Sequence, residues 1–349
     1  MTTVLDHDDV LGGLPSSGRR WRSDVVIAAA TVGVGAVLLV GGARLDLSTA
    51  NRATGLFLLM TIGMAWNLVG GFGGQFSLGH SIFIGAGGYT TAVLLDKSAV
   101  PTPLVLVAAG GSCALIGVVL AYPMARLRGP YFAIGTLGLA LAATGWMLNW
   151  RFTRTSEGYP IPVPKLADVQ TLYRYATVLV VLSVLTVVTV MRMPLGLRLL
   201  ALREDEAGAI SIGVRRLRTL LAVWAFSAFL TGLAGAALGL QKGLLEPVSA
   251  FSLQYTLDAV VVCVIGGLGT LSGPLIGAVV VFALRQYTVD FADWASLIEA
   301  LVVVLVVRLM PGGVVGLFAG AARRLPAGWL YRGRRLGRGS DPTAGKDRT

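Results

Sequence analysis

Residues 192–218 read RMPLGLRLLALREDEAGAISIGVRRLR, a charged island in an oily chain. Arg192, Arg198, Arg203, Arg215, Arg216 and Arg218 surround three consecutive acids, Glu204, Asp205 and Glu206. Apolar runs of membrane length, Tyr175–Met191 and Thr219–Gln241, lie on either side. Membrane proteins keep Lys/Arg-rich loops in the cytoplasm, so this spacing predicts a cytoplasmic loop between two spans. Leu199, Leu200, Leu202, Ala207 and Ile210 offer an apolar docking face within it, rimmed by Arg203, Glu204, Asp205 and Glu206. Gly208 and Gly213 permit close approach and a turn. A solvated connector with no partner is the plainer reading of the same charge run.

The rest of the chain agrees with a membrane setting. Of 349 residues 55% are hydrophobic and 13% charged, against about 25% charged in soluble domains. The net charge of +11 is concentrated at the ends and in short loops. Arg19, Arg20 and Arg22 precede the first apolar run, and Arg323, Arg324, Arg332, Arg334, Arg335 and Arg338 follow the last. Nucleic-acid binding would need that charge on a folded polar face, so no nucleic-acid partner is expected. Positive-inside orientation beside anionic lipid accounts for it. Cys113 and Cys263 each lie inside an apolar run, which supports neither a disulfide framework nor a metal site.

A spanning helix needs about 20 apolar residues. Val25–Ala43 is one such run, read as a retained first span and not a cleaved signal. Ala53–Leu95 carries no Asp, Glu, Lys or Arg across 43 residues and predicts two passes broken at Gly70–Gly74. Ser98–Ala125 and Gly129–Trp150 follow, then a polar, Pro-rich loop, 151–174. After the island and its flanking spans, Ala259–Leu284 is broken by a second glycine-rich block, and Trp294–Met310 closes the series. Arginine-rich termini on the same side require an even count, so the sequence predicts ten spans in an all-α polytopic membrane protein. The expected organisation is an N-terminal cytoplasmic tail over 1–24, a transmembrane domain over 25–318 and a basic cytoplasmic tail over 319–349. Within the domain, 192–218 is the cytoplasmic loop and 151–174 the external loop.

No nucleophile–base pair and no metal-ligand spacing occur, so no catalytic site is expected. No G-x-x-x-x-G-K-[ST] phosphate loop occurs either, which places any ATP chemistry on another chain. Asn67, Gly73, Gly74, Gln75, Ser77, Gly79 and His80 in the first block, and Gly266, Gly267 and Gly269 in the second, are candidates for a translocation pathway or for close helix packing. Irregular backbone at membrane depth survives only when buried in protein or lining a wet cavity, and glycine also lets helices approach. A single His without a nearby partner reads first as structural. Asp258, Arg285 and Glu299 are candidate entrance charges, because ionisable groups inside spans are rare and often functional. Trp146, Trp150, Tyr287 and Trp294 fit an interfacial aromatic belt.

Several blocks, in order, resemble the permeases of branched-chain amino acid importers driven by an ATP-binding cassette. Glu206-Ala207-Gly208 followed by Gly213 resembles the E-A-A…G coupling loop of cassette importers, and Arg203-Glu204-Asp205-Glu206 resembles the family's R-E-D-E stretch. Gly71 to His80 is similar to its G-x-x-G-Q-x-S-L-G-H block, and Arg128 to Ile134 to its R-G-x-Y-F-A-I stretch. Gly266 to Pro274 and Arg308 to Gly313 resemble its late G-G-x-G-T-x-x-G-P block and closing R-P-x-G turn. The resemblance covers about 50–318.

That likeness implies the fold of an importer permease in a bacterial-type plasma (inner) membrane, moving branched-chain or related amino acids inward by alternating access. It assigns coupling to the ATPase to Arg203, Glu204, Asp205, Glu206, Ala207, Gly208 and Gly213. It implies no cofactor on this chain, with ATP and magnesium on partner ATP-binding subunits. Further implied partners are a second homologous (LivH-like) permease subunit, an extracytoplasmic substrate-binding protein and membrane lipid. The outer loop, Thr155-Ser156-Glu157-Gly158-Tyr159-Pro160-Ile161-Pro162, departs from the family's glycine-rich pattern. Urea importers are close relatives, so a urea or short-amide importer is the alternative, and an ATP-independent secondary transporter is less favoured.

Overall fold

The structure, a computed structural model, describes residues 17–42, 44–288, 308, 313 and 314. Twelve helices of four residues or more occur among them, joined by short turns and one two-strand bridge. Helix α1 is Ser17–Gly42. Helix α2, Leu47–Asn67, starts where the Asp46 carboxylate accepts from the Thr49 amide at 3.1 Å. Hydrogen bonds from Ser48 and Thr49 hold that carboxyl below the usual carboxylate range. The helix continues as a π-helical turn, Leu68–Phe72. Then follow α3 (Ser81–Lys97), α4 (Thr102–Met124) and α5 (Pro130–Asn149). Helix α4 opens with Pro103 and α5 with Pro130, both in the first turn, where a missing N–H costs nothing.

Residues 150–168 form a strap of 3-10 turns and strand β1, Tyr159–Pro160. Helix α6 is Val169–Arg192. The charged island is two short helices, α7 (Pro194–Glu204) and α8 (Glu206–Ser211). Helix α9, Arg216–Lys242, leads to β2, Leu244–Leu245, which pairs antiparallel with β1. The one-turn α10 (Pro247–Ala250) precedes α11 (Leu253–Gly266) and α12 (Gly273–Thr288).

Helices α2 and α9 form the centre. Helix α9 packs along α4 and α3, α2 packs along α6, and the α11–α12 hairpin lies against α2. Trp66, Phe83, Leu230 and Leu240 are fully buried between them. Peripheral α5 instead exposes Tyr131, Ile134, Leu141 and Trp146. An exposed apolar face of this kind is unfavourable in water and suits lipid. Trp150 stacks beside Trp146 at 5.4 Å and Tyr287 is exposed, as an interfacial belt requires, whereas Trp294 lies outside the described residues.

The expected count of ten spans is corrected. By length and composition six stretches among the described residues can cross a membrane: Leu47–Phe72, Thr102–Met124, Pro130–Asn149, Val169–Arg192, Arg216–Lys242 and Pro247–Gly266. Ala29–Gly42 and Gly273–Tyr287 are apolar but shorter. Apolar length overcounts here because glycine blocks let helices stop inside the protein. The chain runs through Gly70–Gly71 as a π turn, folds back as coil over 73–80, and resumes in a helix of only 17 residues. Ala259–Leu284 likewise divides into parts of helices with 14 and 16 residues. The expected final span over 294–310, residues 1–16 of the N-terminal tail, the tail over 319–349 and the R-P-x-G turn fall largely outside the described residues, whereas residues 17–24, expected in the N-terminal tail, belong to helix α1.

Boundaries move as well. The loop expected over 151–174 ends at Asp168, whose carboxylate accepts from the Thr171 amide at 3.3 Å and caps α6. Helix α9 starts at Arg216, three residues before the apolar run.

Candidate functional site

At one end of the bundle, α7 and α8 lie across the ends of four other segments. Glu206, the first residue of α8, forms ion pairs with two arginines. Arg128 Nη2, in the α4–α5 turn, is 2.9 Å from its Oε1, and Arg216 Nε, at the start of α9, is 3.0 Å away. Arg216 also donates to the carbonyls of Ala125 and Leu127, so one side chain closes three segments. The Arg128 side chain is largely exposed and Glu206 about a third exposed. The exposed Arg128 pair defines position more than it adds stability, since surface ion pairs contribute about 0–1 kcal/mol, whereas the Arg216 side chain is sheltered.

Arg203, at the end of α7, lies over both glycine blocks. A methyl on Gly74 would come within 3.0 Å of Arg203 Cγ, and one on Gly269 would meet Arg203 Nη1. Gly74 has φ +65° and Gly269 φ +70°, in the left-handed region that favours glycine. Gly73, Gly74 and Gln75 line a 340 Å³ cavity together with Arg128, Arg203, Glu206 and Arg216. Sequence reasoning did not single out Arg128 or Arg216 as members of this joint. Arg128 was visible as part of the R-G-P-Y-F stretch, whereas nothing in the pattern of Arg216 distinguishes it from Arg215 or Arg218.

The docking face expected on the island is partly corrected. Leu199 is fully buried and packs toward Gly73, so it belongs to the core. The exposed large apolar residues over 192–218 are Met193, Leu197, Ile210, Ile212 and Leu217, while Leu200 and Leu202 are half-buried. Ala207 and Gly213 are exposed, as are Glu204 and Asp205. Gly208 sits against the Asp205 carboxylate, where a side chain would collide.

The two glycine blocks hold each other through Asn67. Its Nδ2 donates to the Thr270 carbonyl at 2.8 Å, and its Oδ1 accepts from the Gly269 amide at 3.0 Å. A methyl on Gly71 would collide with Asn67 Oδ1 and the Gly269 amide nitrogen. The α11–α12 bend closes equally tightly, with Gly266 against the Gly273 carbonyl. Gly267 at φ +131° turns the chain there.

His80 and Ser77 lie in the returning coil, fully buried. Ser227 on α9 donates to the Ala65 carbonyl at 2.7 Å, so its oxygen accepts from His80 Nε2 at 2.9 Å. His80 Nδ1 then accepts from Ser77 at 3.2 Å. Trp66 Nε1 donates to the Ser77 carbonyl at 2.8 Å, and the Leu78 amide to Thr136 Oγ1 at 2.9 Å. Gly79 packs on the Thr136 backbone. Gln75 Oε1 accepts a long bond from Trp224 at 3.4 Å. The buried side chains of this coil, Ser77 and His80, are both engaged by the protein, which helps non-helical backbone persist at depth.

At the opposite end, Asp258 on α11 and Arg285 on α12 form a bidentate pair, Nη1–Oδ2 3.0 Å and Nη2–Oδ1 2.5 Å. Glu299 lies outside the described residues. The strap is tied here too. Tyr159 donates to Asp96 at 2.6 Å, Lys165 donates to the carbonyls of Leu95 and Ser98, and Tyr89 donates to the Leu245 carbonyl at 2.8 Å. Burial, then the hydrogen bond and charge of Asp96, push the Tyr159 phenol up to about 12. Arg154 and Thr155 in the strap both have positive φ, a strained pair that sequence reading did not reveal.

A bundle of apolar helices with lipid-suited faces, a charged joint at one end and tightly closed glycine bends inside defines a polytopic membrane protein of the permease class. Residues 48–310 match the family described as "Branched-chain amino acid transport system / permease component", and the chain belongs to that family. It is 29% identical over 297 residues to the "High-affinity branched-chain amino acid transport system permease protein LivM" of Escherichia coli (strain K12), covering 76% of this chain and 70% of that one. The protein of the same name from Salmonella typhimurium (strain LT2) is 29% identical over 293 residues, covering 75% and 69%. No solved structure matches.

Proposed function

We propose that this chain is the permease subunit of an ATP-binding-cassette importer that moves branched-chain or related amino acids inward by alternating access. The observation that carries this reading is the joint around Glu206. Helices α7 and α8 present Leu197, Ile210 and Ile212 outward while Arg203, Glu206 and Arg216 tie them to the ends of α4, α5, α9 and both glycine blocks. A push on that outer face reaches every one of those segments without a covalent link.

In this reading 192–218 is the cytoplasmic coupling loop within a permease domain over 25–318. ATP and magnesium act on separate ATP-binding subunits, and a second, homologous permease completes the pathway. The strap faces outward toward a substrate-binding protein, and both termini are cytoplasmic, in a bacterial-type inner membrane. Arg203 and Glu206 act as positioning residues, and the chain itself catalyses nothing.

Labelled leucine uptake by cells with and without the gene tests the substrate, with isoleucine, valine and urea as competitors. Gene-dependent uptake blocked by valine and not by urea is expected. Uptake blocked by urea, or no gene-dependent leucine uptake, removes the substrate assignment.

A further inference from the structure

The Asp258–Arg285 pair closes one side of a 280 Å³ cavity between α2, α9, α11 and α12. Its remaining wall is mostly apolar, formed by Leu58, Leu59, Ile62, Leu238 and Phe282, with Gly55 and Tyr255 completing it. Gln254 donates to Asp258 Oδ1 at 2.8 Å, and Gln286 lies at the rim. Asp258 is sheltered, while the Arg285 side chain is about a third exposed. One fixed negative and one fixed positive group, adjacent to an aliphatic recess, reproduce in negative the chemistry of an amino acid with a branched apolar side chain.

Resting on the importer reading above, we infer that this cavity is a substrate subsite in which the Asp258–Arg285 pair opens to bind a zwitterion. The substrate carboxylate takes the Arg285 guanidinium, its ammonium takes the Asp258 carboxylate, and its side chain enters the recess. No bond forms or breaks covalently; one ion pair is exchanged for two, with net charge unchanged. When the site is empty the two groups neutralise each other, which avoids an uncompensated sheltered charge. The exchange replaces like with like, so the substrate is held weakly enough to leave, as transport demands. A clamp between α11 and α12 alone gives no reason for charge, because apolar residues in place of a buried ion pair are often as stable or more so.

The test uses the full transporter complex in lipid nanodiscs without nucleotide. A Gln286→Cys substitution places a thiol at the rim, while Cys113 and Cys263 are buried. Labelling of that thiol by a small water-soluble methanethiosulfonate is expected to slow several-fold with leucine, and not with leucinamide or isocaproate, each of which lacks one charge. Asp258→Asn keeps the hydrogen-bonding shape and is expected to leave the complex assembled but abolish leucine protection. The exchanged pair, Asp258→Arg with Arg285→Asp, is expected to keep the complex assembled and likewise show no protection, since the substrate would have to enter reversed.

Three results overturn the inference while leaving the importer reading intact, provided the unmodified complex, reconstituted separately in sealed proteoliposomes with ATP, takes up leucine. They are no protection by leucine, equal protection by the uncharged-end analogues, or protection surviving in Asp258→Asn. A complex that takes up no leucine overturns both.

Discussion

The two ends of this bundle are tied in different ways. At the α7–α8 end the ties are long charged side chains, exposed in varying degree: Arg128 and Arg216 pair with Glu206, Arg216 donates to the Ala125 carbonyl, and Arg203 packs over Gly74 and Gly269. At the strap end two of the ties run through buried tyrosines, and a strand bridge joins them: Tyr159 to Asp96, Tyr89 to Leu245, and β1 to β2. Exposed arginine pairs rearrange at little cost in free energy, whereas a buried phenol cannot leave its partner without losing both burial and a hydrogen bond. The first end has the build of a joint and the second that of a strut.

The sharpest way to break that contrast is charge reversal at the joint. Glu206→Lys sets a third cation between Arg128 and Arg216, so leucine uptake is expected to be lost. Thermal unfolding of the purified complex should meanwhile fall far less than uptake does, because the Arg128 pair it removes is a surface pair contributing about 0–1 kcal/mol. Normal uptake in this variant would refute the joint.

The strut should show the reverse pattern. Tyr159→Ala removes a buried aromatic ring and is expected to cost about 3 kcal/mol, read as a fall in melting temperature. Tyr159→Phe removes only the hydrogen bond, for about 1 kcal/mol. The phenol's raised value adds a pH signature. Its contribution is complete below the ordinary tyrosine value and lost as pH rises toward about 12. Tyr159→Phe should flatten that alkaline loss in a melting-temperature series.

The smallest expected effect lies where the strut meets α6. Hydrogen bonds to Thr171 hold the Asp168 carboxyl below its ordinary value. Its capping contribution is therefore present above the unfolded carboxylate value and lost as pH falls through the folded one. Asp168→Ala should cost about 1 kcal/mol near neutrality and almost nothing in acid. Asp168→Asn should keep the cap and remove its pH dependence, as followed by melting temperature.

The sequence by itself determined the class of the protein and the place of its charged island. Apolar length, sparse charge and the order of motif blocks are properties of a chain read in one dimension, and lipid imposes them residue by residue. What it could not deliver was where helices stop. Gly70–Gly79 and Gly266–Gly273 are apolar and look like more span, yet the bends they form persist because Asn67, Thr136 and Ser227 hydrogen-bond them and the adjoining His80 from outside the bends. Leu199 looked like a docking residue and is core, because which side of a short helix faces the protein depends on what it lies upon. Asp258 and Arg285 were legible as unusual, but only tertiary structure set them opposite one another beside an apolar recess. Their 27-residue separation reflects no helical period; it arises because the glycine bend folds α12 back along α11.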